Sequence, residues 1–146
     1  MMGPRISVLT AVHNGERYLE ASCVSILAQS FRDFEFLIVD DGSTDRTPEW
    51  LERLRREDAR VVVIRQKRVG QTRALIRAVQ AARGEYLVRH DADDLSLPQR
   101  FERQMEYLEA HPAVASWDAP RTRSTSGARS LGRCRCVMAP HRSSRG

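Results

Sequence analysis

Lysine is nearly absent: Lys67 is the sole one among 24 basic residues. That excludes a phosphate loop of the Gly-x-x-x-x-Gly-Lys-Ser/Thr type, which needs a lysine to reach the phosphates. No two of the eight glycines stand in a Gly-x-Gly pair, which excludes the Gly-x-Gly-x-x-Gly fingerprint of dinucleotide folds. Apolar runs are short, and none approaches the roughly 20 residues of a membrane span. The N-terminus shows no long apolar stretch with a small-residue cleavage site, so no signal peptide is expected. Cysteine is scarce as well. Cys134 and Cys136 form a Cys-x-Cys with His141 nearby, short of the paired spacing of a structural zinc site, and Cys23 lies on an apolar helical face as a core residue. What remains is 146 residues with 41% hydrophobic side chains: too apolar for wholesale disorder, and enough chain for one domain. A cytoplasmic protein, at most peripheral at a membrane, is the expectation.

The net charge of +5 suggests a nucleic-acid partner until the chain is divided. Met1–Trp117 holds 17 basic and 18 acidic residues, whereas Asp118–Gly146 holds seven arginines and one acid. The whole basic excess therefore lies in the last 29 residues, which offer few large apolar side chains to offset the entropy of ordering. The expected organisation is a folded unit over 1–117 and a basic, disordered tail over 118–146, with no nucleic-acid partner.

Within the folded part, hydrophobic spacing alternates between two periods. Apolar, β-branched runs at Ile6–Thr10, Phe34–Val39, Val61–Ile64 and Tyr86–Val88 predict strands. Helical spacing predicts helices over Glu16–Gln29, Thr47–Glu57, Gln71–Arg83 and from Ser96 to His111. Thr47-Pro48-Glu49 reads as an N-cap, a first-turn proline and a first-turn acid, and Gly84 as a helix stop. The order βαβαβαβα implies an α/β, Rossmann-like parallel sheet with helices on both faces. Such sheets bind ligands beyond the carboxyl ends of their strands. Here those ends are Ala11–Asn14, Asp40–Ser43, Gln66–Gly70 and His90–Asp94.

Two of the four ends are acidic. Asp40 and Asp41 follow one strand; Asp91, Asp93 and Asp94 follow another. Carboxylates gathered at one rim repel one another unless a cation sits among them. Oxygen ligands without cysteine or paired histidine favour Mg²⁺ or Mn²⁺ over zinc. Mg²⁺ binds through one or two carboxylates plus substrate phosphates, so a phosphate-bearing ligand is implied. Each cluster alone could be a turn ahead of a capped helix; two on one rim favour a shared site.

The ordered blocks ISVLTAVHNGERYLE, SILAQSFRDFEFLIVDDGSTDRT, VGQTRALIRAVQAARGEYLVRHDADD and SLPQRFERQMEYLEAHPAVA resemble the N-terminal half of the inverting family 2 glycosyltransferases, which share the GT-A fold. The resemblance covers about Arg5 to Ala115. It implies a nucleotide-sugar donor, a UDP- or dTDP-sugar, and a glycan or lipid-linked acceptor. By the same resemblance Ala11 and His13 line the nucleoside pocket, where the family often has an aromatic in place of His13. Asp41 is similar to the carboxylate that hydrogen-bonds the base, with Asp40 beside it, and Arg73 stands where a basic residue approaches the nucleotide. Asp91-Ala92-Asp93 resembles the family's Asp-x-Asp element, with Asp93 as metal ligand and Asp91 supporting the sugar or the metal's water shell. Two positions depart from the pattern: Ile76 replaces a commonly polar residue, and His90 precedes the acidic motif as a structural bystander. The family's general base belongs to an acceptor-binding half beyond the resemblance. The expectation is therefore a truncated GT-A domain, with a non-catalytic nucleotide-binding remnant as the alternative.

Overall fold

The computed structural model describes residues 3–112 and the backbone of a short strand at 135–137. Strands β1 (Ile6–Val12), β2 (Phe34–Asp41), β3 (Val61–Gln66) and β4 (Tyr86–Arg89) alternate with helices α1 (Leu19–Leu27), α2 (Thr47–Glu57), α3 (Gln71–Ala81) and α4 (Arg100–Ala110). A fifth strand, β5 (Arg135–Val137), completes a sheet of order β3-β2-β1-β4-β5 in which every pairing is parallel.

The two faces differ in what covers them. Ile6, Val8 and Val12 of β1 and Phe36 and Ile38 of β2 pack under α1, α2 and α4 through Cys23, Ile26, Leu51, Phe101 and Met105. The alternate residues Leu9, Leu37 and Val39 pack under α3, through Ala74 and Ala78. Side chains alternate across a strand, so β2, buried on both faces, reads as a nearly continuous apolar run, FEFLIV, broken only by Glu35.

Strand order reverses between β1 and β4: the chain moves outward from β1 to β3 on one side, then returns to β4 on the other. That is the topological switch point at which open parallel sheets bind ligands.

Several local devices differ from the sequence-based expectation. Thr47 does not cap α2; its hydroxyl accepts from Gly15 N at 2.9 Å, while the Asp45 carboxylate takes the N–H groups of Thr47 and Glu16 at 2.9 and 3.1 Å. Tertiary pairing of the β1–α1 and β2–α2 loops has claimed the threonine, and an acid at the helix start serves in its place. Gly84 is not a helix stop, since α3 ends at Ala81 and Ala82 is already extended. It is small because a Cβ there would fall 2.5 Å from the backbone nitrogen of Ser7. Beside it, buried Glu35 accepts from Ser7 Oγ at 2.6 Å and from Arg83 N and Nε at 2.7 and 2.9 Å, fixing the entry to β4.

Three residues assigned to a disordered tail, Arg135–Val137, pair with β4 in parallel. The edge of β4 presents unpaired backbone groups that an extended segment can satisfy. The rest of that tail, including Cys134 and His141, lies outside the described residues.

Candidate nucleotide and metal site

The ends of β2, β1 and β4 lie side by side, so Asp41, Ala11–His13 and the 90–94 segment share one rim. Neighbouring strands stand about 4.8 Å apart, which puts the two acidic strand ends about 10 Å from each other across β1. Asp41 continues the face of Leu37 and Val39, and Ala11 the face of Leu9, so both look toward α3. His13 is tied to the same corner, its Nδ1 2.9 Å from the Asp41 carbonyl oxygen.

Asp41 is buried, and both of its oxygens are engaged. Its Oδ1 accepts from Gln66 Nε2 at 2.8 Å and Val69 N at 2.9 Å, and its Oδ2 from Gly70 N at 2.8 Å. Burial pushes this carboxyl up, but the side-chain hydrogen bond from Gln66 and the backbone ones from Val69 and Gly70 outweigh it and hold it below the ordinary value. It is thus an ionised acceptor, and Oδ2 keeps one lone pair free. Gly70 takes a φ of 99°, a conformation side chains disfavour, and so lets its N–H reach the carboxylate.

Asp40 points to the other face. Its Oδ1 accepts from Ser43 N at 3.0 Å, while buried Oδ2 has no hydrogen bond among the described residues and lies 3.4 Å from Arg65 Nε. Arg73 is exposed in the first turn of α3, beside the loop that clasps Asp41.

At the end of β4, burial alternates. Asp91 is half-buried and takes Arg89 Nε on Oδ1 at 2.9 Å, Ala92 is buried in the core, and Asp93 and Asp94 are exposed. Asp94 N donates to Asp91 O at 3.0 Å, closing the turn that presents Asp93 to solvent. Among the described residues no three His, Cys, Asp or Glu side chains converge as a protein-only metal cage. A hard divalent cation fits the set that is present: two carboxylates in a tight turn, with its other positions open to water and phosphate oxygens.

His90 is structural, as expected of a lone histidine, and hydrogen bonds hold it in place. It is 2% exposed, with Nε2 2.8 Å from Ser22 Oγ and Nδ1 3.4 Å from both Ser96 Oγ and Arg100 Nη1. A guanidinium only donates, which assigns the proton to Nε2. Burial and the Arg100 charge lower its pKa to about 4, so the ring is neutral. Ser22, which meets His90 and Asp91, and Ser25 and Gln29, which bond the chain just after them at 96–101, escaped sequence reasoning. Their spacing of three and four, running along α1 and just past its end, was the available signal. Cys23 is buried, and burial pushes its thiol up to about 12. Ile76 is exposed on α3.

A parallel sheet whose strand order reverses at β1/β4 defines a doubly wound α/β class. The chain belongs to glycosyl transferase family 2, whose model matches residues 7–133. It is 38% identical over 109 residues to the uncharacterized glycosyltransferase MJ1057 of Methanocaldococcus jannaschii, covering 73% of this chain and 38% of that protein. To the uncharacterized glycosyltransferase EpsJ of Bacillus subtilis it is 35% identical over 108 residues, covering 74% and 31%. The chain therefore spans roughly a third of the length of such relatives. Among solved structures, the mannosyltransferase PcManGT of Pyrobaculum calidifontis in complex with GDP-Man and Mn²⁺ superposes with a TM-score of 0.69 at 29% identity, covering 79% of this chain and 35% of that one. TarS 1-349 of S. aureus in complex with UDP-GlcNAc gives 0.69 at 26%, covering 74% and 32%. The fold is that of the GT-A glycosyltransferases.

Proposed function

We propose that this chain is the donor-binding half of an inverting glycosyltransferase that takes a sugar from a nucleoside diphosphate with the help of Mg²⁺ or Mn²⁺. The observation that carries the reading is the placement of ionised Asp41 and the Asp91–Asp93 turn on one rim, on either side of β1. The remaining lone pair of Asp41 Oδ2 suits a base that presents a ring N–H, such as uracil or thymine. Ala11 and His13 form the floor beside it, Asp40 holds the turn at Ser43, and Arg73 stands ready for phosphate oxygens. Asp93 would hold the metal ion, and Asp91, steadied by Arg89, would support the sugar or the metal's water shell. The cation would neutralise charge on the departing diphosphate.

In the transfer, the acceptor hydroxyl oxygen bonds to the anomeric carbon. The bond from that carbon to the diphosphate breaks, and its electron pair leaves with the phosphate oxygen. The acceptor's proton goes to a general base, which the family resemblance places outside residues 5–115. Binding without turnover is the second reading, favoured by the absence of that base from the matched stretch. Release of labelled sugar from UDP- or dTDP-sugars, lost in Asp93→Ala, supports transfer. Donor binding with no release at any enzyme concentration supports the second reading.

A further inference from the structure

One face of α1 and the residues just past its end are polar where they meet the acidic segment and the chain that follows it. Ser22 Oγ contacts His90 Nε2 at 2.8 Å and Asp91 O at 3.4 Å. Ser25 Oγ accepts from Ser96 N at 3.0 Å. Gln29, wholly buried, donates from Nε2 to Leu97 O at 2.7 Å and accepts at Oε1 from Phe101 N at 3.1 Å. Ser30 N donates to Pro98 O at 2.8 Å. From α4, Arg100 reaches back with a fork: Nη1 to Ser96 Oγ at 2.8 Å and Nη2 to Arg89 O at 3.1 Å. Thr10 Oγ1 closes the near end on His90 O at 2.7 Å.

These bonds leave a pattern. The segment is gripped at 89–91 and again at 96–101, and residues 92–95 bridge the two grips. Leu95 and Leu97 are 72% and 75% exposed, so beyond buried Ala92 apolar contact does little to hold this bridge, and side-chain-to-backbone hydrogen bonds on either side fix it. Since His90 gives its Nε2 proton to Ser22, the Ser22 hydroxyl has its own proton for Asp91 O, and the chain of donors runs in one direction.

We infer that α1 and Arg100 form a clamp that sets the geometry of the Asp91–Asp93 turn, with Ser22 and Arg100 as positioning residues for the metal-dependent part of donor binding. The inference rests on the proposed role of that turn. It makes a prediction that charge alone reverses. Arg100 is a cation close to a cation site, and its guanidinium interacts favourably with Asp94 and Asp91. Removing it should tighten divalent binding if its influence is only electrostatic. If it positions the turn, removing it should weaken divalent binding, because outer hydrogen-bond partners orient metal ligands and typically change affinity roughly 10–100-fold.

The test measures Mn²⁺ affinity in the presence of UDP by electron paramagnetic resonance, and UDP affinity without metal by calorimetry. The variants are Arg100→Met, Arg100→Lys and Ser22→Ala, each checked for its melting transition. Amide exchange through residues 91–95 is followed in every variant without ligand. The clamp predicts at least about tenfold weaker Mn²⁺ binding in Arg100→Met. It predicts a lesser loss in Arg100→Lys, whose single ammonium cannot span both acceptors, and faster exchange at 91–95. Metal-free UDP affinity should stay within about twofold. Unchanged or tighter Mn²⁺ binding, or an equal loss with and without metal, would overturn it. Were the parent chain to show no Mn²⁺ dependence at all, the metal reading would fall by itself. The clamp would then stand on faster exchange at 91–95 or fall on unchanged exchange.

Discussion

The Oδ2 atom of Asp41 lies 2.8 Å from the backbone nitrogen of Gly70, 29 residues further along the chain. With Val69 N and Gln66 Nε2 on Oδ1, the carboxylate gathers the whole β3–α3 loop onto the end of β2. A residue expected to read a base therefore also builds the wall beside it. Asp41→Asn replaces one acceptor oxygen by an NH₂ group that faces a donor. The expected outcome is a loss of about 1–3 kcal/mol in stability, measured by urea unfolding, and roughly tenfold weaker UDP binding by calorimetry. Since the carboxyl is held below its ordinary value of 3.8, the clasp is complete above that pH and is lost only as pH falls through the depressed value.

His90 sets the acid sensitivity of the fold. Its pKa falls from 6.5 to about 4 on folding, so between those values the unfolded chain binds more protons than the folded one. Stability is full above pH 6.5 and declines toward pH 4, by roughly 3 kcal/mol over the window. Urea midpoints of the metal-free protein across pH 4–7 should show this decline, and His90→Gln should flatten it.

At the opposite rim, Glu35→Ala removes the acceptor of the Ser7 hydroxyl and the Arg83 amide, leaving both with unmet donors. A loss of about 2–3 kcal/mol is expected, visible as a fall in Tm of roughly 10 °C. The matched control is Glu52→Ala on α2, whose partners Arg55 and Arg56 are solvent-exposed. Its Tm should stay where it was, as expected for a surface ion pair.

The sheet was legible in the sequence because its strands are buried on a strict pattern. Within FEFLIV the stretch Phe36–Val39 is uninterrupted apolar where both faces are covered, and ISVLT is rich in β-branched residues. The rim followed from it: Asp40–Asp41 and Asp91–Asp94 had to fall at strand ends once the strands were placed. What the sequence hid was long-range polar pairing. Thr47 looks like a cap until Gly15, 32 residues earlier, takes its hydroxyl. His90 looks idle until Ser22, 68 residues earlier, meets its ring. Local spacing carries no information about which distant hydroxyl will arrive, so the acidic turn could be located while the bonds that hold it could not.

The central claim is that Asp93 and Asp41 serve one bound nucleoside diphosphate, the first through a divalent ion. Calorimetric titration of UDP into the folded chain, with and without Mn²⁺, tests it most directly. The account predicts binding that Mn²⁺ strengthens, with the Mn²⁺ enhancement abolished by Asp93→Ala and the residual metal-free affinity reduced only by Asp41→Asn. Heat that is identical with and without Mn²⁺ in the parent chain and in Asp93→Ala, or no heat at millimolar UDP, would contradict it.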